Sequence, residues 1–402
     1  MKIIHSGDWH IGKIINEFSM LEDQEFILNQ FIKIIEAERP HALVIAGDLY
    51  DRSIPSVEAV ELLDKTFNSI LLDLKIPIMA IAGNHDSAER LSFGSKILNK
   101  NGLFLAGVFE KKIKKVVLSD DDGPVNFYLV PYADPRVIRH ILDDDESLNH
   151  DMAMKKVIEI IKDDMNRDEK NIMVAHGYVT LMSNKLGVGD TPGDDEMLGE
   201  ALKTSDSERP LSIGGTDLIN GEYFNCFNYT ALGHLHGPQK VGSDKIRYSG
   251  SILKYSFSET NHKKGITIVD IDDKGEVTTR FKELIPKRDM RIIKGPLSEL
   301  IDPKIYSRTN VEDYICAILT DEGELIDPIS KLRAVYPNIM ELSRDDIRVK
   351  EDSKTSASFG YANKSKLQLF EEFYKSISGK EITHEKLQII NEVIQEVDKD
   401  VK

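Results

Sequence analysis

Seven side chains of metal-binding type follow short apolar segments that are far apart along the chain: Asp8, His10, Asp48, Asn84, His176, His234 and His236. Carboxylate, amide and imidazole groups are donors that divalent cations such as Mn²⁺ accept, and this set contains no thiolate. The Asp-x-His and His-x-His spacings place two side chains on the same side of an extended backbone, so both can reach one ion. The spacing therefore predicts a divalent-metal centre assembled from distant parts of the chain.

Asp48 is the predicted hub of this centre, because its two carboxylate oxygens can bridge two ions. Two cations about 3.5–4 Å apart activate an attacking water and hold both oxygens of an in-line displacement at phosphorus. The residue types therefore indicate hydrolysis of a phosphoester.

Two further side chains are close to the predicted ligands in sequence and could act on a substrate. His85 follows Asn84 and could donate a hydrogen bond to a phosphoryl oxygen or a proton to the leaving alkoxide. Asp51 lies one short turn beyond Asp48 and could orient and charge His85. The competing interpretation of His85 is that it only packs against its neighbours. That of Asp51 is an ordinary carboxylate in a loop or helix cap.

Short apolar segments must position these side chains, and each has the pattern of a buried strand. The segments that end in predicted site residues are 2–5, 42–46, 77–82, 171–175 and 228–232. In α/β sheets, ligands bind beyond the carboxyl ends of the strands. Five strand ends that carry Asp, Asn or His are therefore expected to converge on one site.

The segments between these strands indicate the fold class. Helical periodicity is present at 20–38, at 55–73 with Pro55-Ser56 at the start, and at 87–99. This alternation predicts a sheet with helices on its faces. Residues 103–131 are predicted to form a three-stranded meander, and 184–222 a long loop of the kind that is usually functional or mobile. Further predictions are a helix at 152–165, strands at 239–241, 246–248 and 265–271, and a hairpin turn at 272–275.

The C-terminal part of the chain is predicted to contain smaller separate parts. Residues 291–345 mix short strands and helices, as in a small α/β module, and the polar residues 351–365 have the composition of a linker. Two helices are predicted at 366–378 and 383–397, with more apolar positions than two short helices can bury against each other. Such a face favours docking to a partner; the alternative is that the helices fold back on the core.

The composition is that of a globular protein of two or three domains, with 402 residues of which 30% are charged. A net charge of −16 argues against a surface coated for nucleic acid, although two divalent cations and a local basic rim can dominate the field at one site. Only Cys226 and Cys316 are present, which argues against a disulfide framework and favours the cytoplasm. Signal-peptide and membrane-spanning patterns are absent from the sequence, so we expect no membrane association.

Five motifs, in this order, resemble the signature of the calcineurin-like metallophosphoesterases. They are Gly7-Asp8-Trp9-His10, Gly47-Asp48-Leu49-Tyr50-Asp51, Gly83-Asn84-His85-Asp86, His176-Gly177 and Gly233-His234-Leu235-His236. Within that superfamily, residues 6–12, 83–91, 209–215 and 233–239 are similar to the SbcD family of bacterial nuclease subunits. The resemblance covers the whole chain and is strongest over residues 1–275.

The resemblance implies an α/β fold, α+β in some schemes, built as a four-layer β-sandwich flanked by helices. It implies a nuclease domain at 1–280, a small α/β capping domain that binds DNA at 281–350, a linker at 351–365 and a partner-binding helix pair at 366–402. One metal would be held by Asp8, His10, Asp48 and His236, and a second by Asp48, Asn84, His176 and His234. Both ions would be Mn²⁺, with Mg²⁺ as the alternative, and His85 would be the catalytic histidine.

The activity that the resemblance implies is metal-dependent hydrolysis of DNA in repair, recombination and replication. It would combine 3′→5′ exonuclease action on duplex ends with endonuclease action on single strands and hairpins. The implied partner is SbcC, an ATPase with a long coiled coil, in a heterotetramer that contains a homodimer of the nuclease subunit. The C-terminal helices would dock at the base of the coiled coil. Asp51 departs from the histidine that is frequent in archaeal and eukaryotic relatives.

Candidates for contact with the DNA backbone flank the strand ends: Lys13, Arg52, Arg90, Ser249 and Ser251. Solvated charges and an ordinary polar turn are the competing interpretations for these residues. Trp9, the only tryptophan, is expected to wedge its loop into the core rather than to stack on DNA.

Two other functions remain open at this point. One is a different calcineurin-like enzyme, although protein phosphatases normally have Gly after the residue matching Arg52 and Glu in place of Asp86, and cyclic-nucleotide phosphodiesterases would lack most of 280–402. The other is a non-catalytic scaffold that recruits a partner through its C-terminal helices. Such proteins usually lose metal ligands, whereas all seven are present here.

Overall fold

The computed structural model describes residues 1–144, 146, 148–181, 202–208, 211, 217–321, 325–345, 366–368, 370–371, 374 and 382–400. The chain divides into two compact units, Met1–Met290 and Arg291–Lys402. The predicted domain boundary at residue 280 falls inside a strand that the first unit contains.

The strands are, in chain order, β1 (Lys2–Ser6), β2 (Ile14–Ile15), β3 (Phe18–Ser19), β4 (Ala42–Ile45), β5 (Ile78–Ile81), β6 (Leu103–Ala106), β7 (Lys114–Asp120), β8 (Gly123–Val130), β9 (Lys170–His176), β10 (Tyr178–Thr180), β11 (Leu218–Asn220), β12 (Tyr229–Gly233), β13 (Gln239–Val241), β14 (Ser243–Tyr248), β15 (Gly265–Ile271), β16 (Val277–Glu283), β17 (Met290–Gly295), β18 (Tyr314–Leu319) and β19 (Ile339–Arg344).

The α-helices of the described residues are α1 (Leu21–Glu38), α2 (Val57–Asn68), α3 (Ala88–Ser92), α4 (Ser95–Leu98), α5 (Pro135–Leu142), α6 (His150–Asp164), α7 (Leu297–Leu300), α8 (Pro303–Tyr306), α9 (Pro328–Arg333) and α10 (His384–Asp400). A π-helical turn, Ser69–Asp73, continues α2, and 3₁₀ turns lie at Asn99–Asn101, Gly221–Cys226 and Phe257–Glu259.

The first six-stranded sheet has the order β16-β15-β1-β4-β5-β6. Strands β1, β4, β5 and β6 are parallel, β15 is antiparallel to β1, and β16 is antiparallel to β15. Every residue of β4 and β5 is buried, which is the pattern of strands covered on both faces. The predicted hairpin turn is confirmed, since the N–H of Gly275 donates to the carbonyl of Asp272 at 3.2 Å.

The second six-stranded sheet repeats this plan in the order β13-β14-β12-β9-β8-β7. Its four central strands are parallel, and the edge strands β7 and β13 are antiparallel to their neighbours. The two sheets pack against each other through one buried cluster. It includes Val44 and Met79 of the first sheet and Phe127, Val174 and Ala231 of the second.

Helices cover the outer faces of both sheets and complete the predicted four-layer α/β architecture. Phe31 of α1 and Leu63 of α2 pack in one cluster with the first sheet. Val157 and Ile161 of α6 pack in another with the second sheet. Helix α2 begins as predicted, because the Ser56 hydroxyl accepts a hydrogen bond from the N–H of Ala59 at 3.3 Å.

Three features differ from the sequence-based expectation. The meander predicted over 103–131 is wrong, because β6 joins the first sheet whereas β7 and β8 form a hairpin in the second. The single helix predicted at 87–99 is two short helices, since Gly94 between α3 and α4 has a left-handed φ of 69°. Helix α5 was not predicted, although Asp134 caps it and Pro135 occupies its first turn.

The second unit contains a three-stranded sheet of order β17-β18-β19, with β18 and β19 parallel. Its core includes Leu297, Leu300, Ile315, Leu332 and Tyr336. The Tyr336 hydroxyl, which is buried, donates to the carbonyl of Leu300 at 2.9 Å. This is the small α/β module that the sequence predicted for 291–345.

The C-terminal predictions are met only in part by what the structure describes. Helix α10 lies at the second predicted helix, and the described residues of the first, 366–368, 370–371 and 374, are helical. The predicted linker at 351–365 and most of the predicted loop at 184–222 lie outside the described residues. Over the part of the chain that is described, none of the helices combines the length and the apolar character that crossing a membrane requires.

Candidate metal centre

The predicted site residues lie at the carboxyl ends of five parallel strands. Following β1, β4, β5, β9 and β12 in turn, they are Asp8 and His10, Asp48 and Asp51, Asn84 and His85, His176, and His234 and His236. Parallel pairing aligns these ends within each sheet. The expected convergence of the five strand ends is thus observed.

Four of these residues have positive φ angles: 52° at Asp8, 45° at His10, 49° at Asp48 and 109° at His234. Such conformations cost of the order of 1–3 kcal/mol each for non-glycine residues and are common at functional sites. Backbone hydrogen bonds hold the first two loops together, since Asp8 N–H donates to the Gly47 carbonyl at 3.1 Å and His10 N–H to the Asp48 carbonyl at 2.9 Å.

Two glycines allow the loops to approach each other closely. A Cβ atom on Gly83 would lie 2.2 Å from Oδ1 of Asp48, and one on Gly47 would lie 2.3 Å from Nδ1 of His176. Any other residue at these positions would displace a predicted ligand, which explains the Gly-Asp and Gly-Asn sequences at the strand ends.

The first group of donor atoms belongs to Asp8, His10 and His236, which lie within 4.8 Å of one another and are buried. His236 Nδ1 is 3.2 Å from Oε1 of Glu259. Because a carboxylate only accepts, Nδ1 carries the hydrogen and Nε2 has the lone pair. The buried Nδ1 atom of His10 makes no hydrogen bond within the described residues, but it faces Oδ1 of Asp51 at 3.5 Å. A hydrogen on Nδ1 is attracted to that carboxylate, so the same tautomer is favoured for His10.

In these tautomers the Nε2 atoms of His10 and His236 each carry a lone pair, and the two atoms face each other at 3.1 Å. Burial lowers the pKa of His10 to about 3 and also lowers that of His236, so a proton between them is disfavoured near neutral pH. Two imidazole lone pairs at this distance repel each other unless a cation binds both. The donor arrangement therefore fits a bound metal ion.

The carboxylate of Asp8 supports the same conclusion. Its Oδ1 accepts a hydrogen bond from the N–H of His234 at 2.9 Å, whereas its buried Oδ2 has no partner within the described residues. Burial, helped by the charge of Asp48, raises the pKa of Asp8 well above its usual value. A cation would satisfy Oδ2 and favour the ionised carboxylate.

Asp48 lies between the first group of donors and a second one. Its Oδ2 is 3.6 Å from His10 Nε2 and 3.5 Å from His176 Nε2, and Asp8, Asp48 and His176 form a second group within 4.8 Å. Burial would raise the pKa of Asp48, but His176, His10 and His85 together lower it to about 2. The single oxygen Oδ2 faces both groups, whereas we expected the two oxygens to share that role.

His176, Asn84 and His234 complete the second group. His176 Nδ1 donates to the carbonyl of Ala46 at 2.9 Å, which leaves the Nε2 lone pair 2.9 Å from Oδ1 of Asn84. The ring of His234 lies with its centroid 5.5 Å from that of His176. Burial lowers the pKa of both histidines, so both offer neutral imidazole donors.

His85 is oriented by the backbone of Asp51. Its Nδ1 donates to the Asp51 carbonyl at 2.9 Å, which leaves Nε2 for a substrate. The Asp51 carboxylate accepts instead from Lys13 Nζ at 2.8 Å and faces His10. Burial opposes ionisation of that carboxylate, but the facing His10 ring and the hydrogen bond from Lys13 hold its pKa well below the usual range. The predicted link between Asp51 and His85 is thus made through the carbonyl.

Several polar residues around the centre were not identified from the sequence. Glu259 and Lys264 form a buried ion pair with 2.6 Å between Oε2 and Nζ, and Glu259 and Ser207 contact His236. Glu208 accepts from the N–H of His236 at 2.7 Å, and burial raises its pKa to about 7. The pattern Ser256-x-x-Glu259 resembles a capping box, which signals a local turn and not a contact with a distant loop.

Asp86 connects the loops after β4 and β5. Its carboxylate accepts from the N–H groups of Leu49 at 3.1 Å, Tyr50 at 2.9 Å and Gly83 at 3.0 Å. Burial, with the charge of Asp48, raises its pKa to about 7. Its place in the Gly-Asn-His-Asp motif was the available signal for this role.

The candidates for DNA contact have different environments. Arg52, with 68% of its side chain exposed, and the exposed Arg90 can reach a ligand in solvent, whereas Lys13 is largely buried against Asp51. Ser249 and Ser251 are fully buried, and their hydroxyls donate to carbonyls of the interior at 3.3 Å and 2.8 Å. The predicted contact of these two hydroxyls with DNA is wrong for this structure.

Trp9 packs in the core as expected. It is fully buried, its Nε1 donates to the Ser6 hydroxyl at 2.8 Å, and its ring meets Phe31 edge to face with centroids 5.6 Å apart. The similarity motif at 209–215 lies outside the described residues except for Leu211.

Comparison with known proteins identifies relatives over almost the whole chain. A sequence profile described as calcineurin-like phosphoesterase matches residues 1–245, and one described as the type 5 capsule protein repressor C-terminal domain matches residues 286–377. The SbcD component of the SbcCD nuclease from Staphylococcus epidermidis is 36% identical over 383 residues, which cover 95% of this chain and 95% of that relative.

Two solved structures align at low similarity. A protein of Thermus thermophilus has 10% identity and a TM-score of 0.37 over 70% of this chain and 98% of its own. A dimetal phosphatase from Danio rerio has 11% identity and a TM-score of 0.39 over 71% of this chain and 96% of its own. Scores of this size do not establish a detailed structural correspondence.

Proposed function

Since this chain belongs to the calcineurin-like phosphoesterase family and, within it, to the SbcD group of nuclease subunits, we propose that it hydrolyses DNA phosphodiesters with two divalent cations as the nuclease subunit of a complex with SbcC. The observation that carries the proposal is the pair of lone pairs on His10 and His236 that face each other at 3.1 Å, beside the unpaired Oδ2 of Asp8.

The residues divide naturally into two ligand sets. We assign Asp8, His10, Asp48 and His236 to one ion and Asp48, Asn84, His176 and His234 to the other. Mn²⁺ is the proposed metal, with Mg²⁺ as the alternative, because Mg²⁺ takes carboxylates and waters in preference to four imidazoles. Bound cations supply an activated water and neutralise charge on the phosphoryl oxygens.

His85 is the proposed catalytic residue of the protein itself. Its Nδ1 is held by the Asp51 carbonyl and its backbone N–H by Asp48, so the ring has little rotational freedom. When Nε2 carries a proton, it can donate a hydrogen bond to the phosphoryl oxygen and then the proton to the leaving 3′ oxygen. Asp51 has a positioning role, with its carbonyl on His85 and its carboxylate toward His10.

The substrate is proposed to be DNA, with 3′→5′ exonuclease action on duplex ends and endonuclease action on single strands and hairpins. Repair, recombination and replication are the processes that generate such ends. Arg52 and Arg90 are the exposed cations proposed to bind phosphates of the DNA backbone. Lys13 is a weaker candidate, because its ammonium group is paired with the carboxylate of Asp51. The second unit would serve as the capping domain that binds DNA.

The partner is proposed to be SbcC, bound through the C-terminal helices in a heterotetramer with two copies of this chain, in the cytoplasm. Helix α10 supports this assignment, since Ile389 and Val393 are 60% and 50% exposed. Large apolar side chains at such exposure are typical of a surface that a partner covers.

A substrate panel tests the function. The purified chain is incubated with Mn²⁺ and, separately, end-labelled duplex DNA, a hairpin, a phosphopeptide and a cyclic nucleotide. The proposal expects turnover of both DNA substrates and shortening of the duplex from its 3′ ends. Turnover of the phosphopeptide or the cyclic nucleotide alone would identify another phosphoesterase. The panel is repeated with SbcC added, and the absence of any turnover there would favour a scaffold.

A further inference from the structure

A buried polar cluster lies behind His236, on the side away from the predicted metal. Glu259 is fully buried and uses both carboxylate oxygens. Oε1 lies 3.2 Å from Nδ1 of His236 and accepts from Ser205 Oγ at 2.6 Å, and Ser207 also donates to it. Oε2 lies 2.6 Å from Nζ of Lys264.

Lys264 holds the same loop from a second direction. Its Nζ, which is buried, donates to the carbonyl of His236 at 2.8 Å and to the hydroxyl of Ser251 at 2.9 Å. The ring and the backbone of His236 are therefore both bound by one ion pair. Four histidines of the centre have an Nδ1 atom that faces a carboxylate or a carbonyl oxygen, namely His10, His85, His176 and His236. The ion pair behind His236 is the more deeply buried of the two that involve such a carboxylate, since the Lys264 side chain is 4% exposed, whereas that of Lys13, which pairs with Asp51, is 14% exposed.

Stability alone does not explain an ion pair at this depth. Removing two charges from water costs several kcal/mol per ion, and apolar replacements of such pairs are often neutral or stabilising. A carboxylate behind a ligating imidazole has a defined effect, because it fixes the ring, selects the Nδ1–H tautomer and makes Nε2 a stronger donor. The pair keeps the carboxylate ionised and fixed at a buried position.

We propose that Glu259, held by Lys264, is a positioning residue that determines the affinity of the ion bound by Asp8, His10, Asp48 and His236, and that leaves the other ion nearly unaffected. This inference rests on the proposed function, since it assumes the two ligand sets. The second set is separated from Glu259, because the Nδ1 atom of His176 is held by the carbonyl of Ala46.

The test measures Mn²⁺ binding by the full chain. Calorimetry gives the affinity of each site, and the electron paramagnetic resonance signal of coupled Mn²⁺ pairs shows when both sites are filled. Glu259→Gln is expected to weaken one of the two sites about 10–100-fold, which is the usual effect of losing such a carboxylate. The coupled signal then appears only at correspondingly higher Mn²⁺, and DNA cleavage recovers when Mn²⁺ is raised. Glu276→Gln, which removes an equal charge at an exposed turn, is the control and is expected to bind as the wild type does.

Two further variants separate positioning from simple charge balance. Glu259→Gln with Lys264→Met removes both charges, and it is expected to keep the weakened site, because the carboxylate behind His236 is still missing. If Glu259→Gln does not fold, Glu259→Asp takes its place. It keeps the charge but shortens the side chain by one methylene, so it is expected to weaken the same site.

The outcomes distinguish this inference from the proposed function. If the wild-type chain binds no Mn²⁺, the metal-dependent function itself fails. If the wild-type chain binds two ions and the Glu259 variants bind both with unchanged affinity, or lose both equally, the positioning role is overturned while the function stands. Recovery of wild-type affinity in the double variant would likewise overturn it in favour of charge balance.

Discussion

The N–H of His85 donates a hydrogen bond of 2.9 Å to Oδ1 of Asp48. The carboxylate that stands between the two donor groups therefore also fixes the loop that carries the proposed acid. Because Oδ1 is engaged in this way, Oδ2 is the oxygen that faces His10 and His176. Metal binding and placement of His85 are thus coupled through one side chain.

Removal of the His85 imidazole is expected to separate chemistry from metal binding. His85→Ala keeps the backbone N–H that Asp48 needs, so Mn²⁺ should bind with wild-type stoichiometry. Cleavage of labelled duplex DNA should fall about 10²–10⁴-fold, the usual contribution of a general acid. Calorimetry and a gel assay on the same preparation measure both quantities. Cleavage at the wild-type rate would remove His85 from the mechanism.

Two glycines in the site loops predict opposite responses to a single methyl group. Gly83→Ala should abolish Mn²⁺ binding, since its Cβ would lie 2.2 Å from Asp48 Oδ1. Gly7→Ala should be tolerated, because the nearest atom to its Cβ would be the Ser249 hydroxyl at an ordinary 3.5 Å. Mn²⁺ titration of both variants is the measurement. Equal binding by the two would show that the Gly83 contact does not constrain the site.

The strand ends could be predicted from the sequence because each is a local event. A buried strand needs a short apolar run, and the site needs the polar residue that follows it, so both signals lie within about ten residues of each other. Membership of β6 in the first sheet could not be predicted in that way. An apolar run does not specify which neighbour it pairs with.

The surroundings of the ligands were missed for a related reason. Glu259 lies 23 positions from His236, and Ser207 lies 29 positions from it. These residues come together only in the folded chain, and the one local pattern at Glu259, its capping-box spacing from Ser256, does not indicate a contact with His236. The hydroxyls of Ser249 and Ser251 were misjudged likewise, since a polar Tyr-Ser-Gly-Ser turn is usually exposed and here is buried.

A histidine between the sheets predicts a pH dependence of stability. His5 Nε2 donates to the Leu232 carbonyl at 3.2 Å, its Nδ1 lies 2.9 Å from the Tyr229 hydroxyl, and burial lowers its pKa to about 3. Between about pH 3 and 6.5 the unfolded chain binds a proton at this position that the folded chain does not. The free energy of unfolding therefore rises with pH in this window.

His5→Gln should reduce that rise at about pH 5 by about 1.4 kcal/mol per pH unit, the value for one proton. Denaturant unfolding in EDTA, followed by the fluorescence of buried Trp9, measures it in the first unit. Tyr229→Phe is the control, because it removes a partner but leaves His5 to titrate. Parallel pH curves for wild type and His5→Gln would show that His5 is protonated in the folded state.

The exposed face of α10 predicts a separable partner site. Ile389→Glu with Val393→Glu should abolish retention by immobilised SbcC, since two charges would enter an apolar contact, and should leave Mn²⁺ binding unchanged. Asn391→Glu adds a charge on the opposite side of the helix, and immobilised SbcC should still retain this variant. Deletion of residues 366–402 should give the same loss. Retention of the double variant would place the contact elsewhere.

Crystals grown with Mn²⁺ and measured at the manganese absorption edge test the central claim most directly. Two anomalous peaks are predicted about 3.5–4 Å apart, both beside Oδ2 of Asp48, one reached by His10 and His236 and the other by His176 and His234. A single peak, or peaks away from Asp48 at saturating Mn²⁺, would contradict the two-ion centre from which the proposed hydrolysis follows.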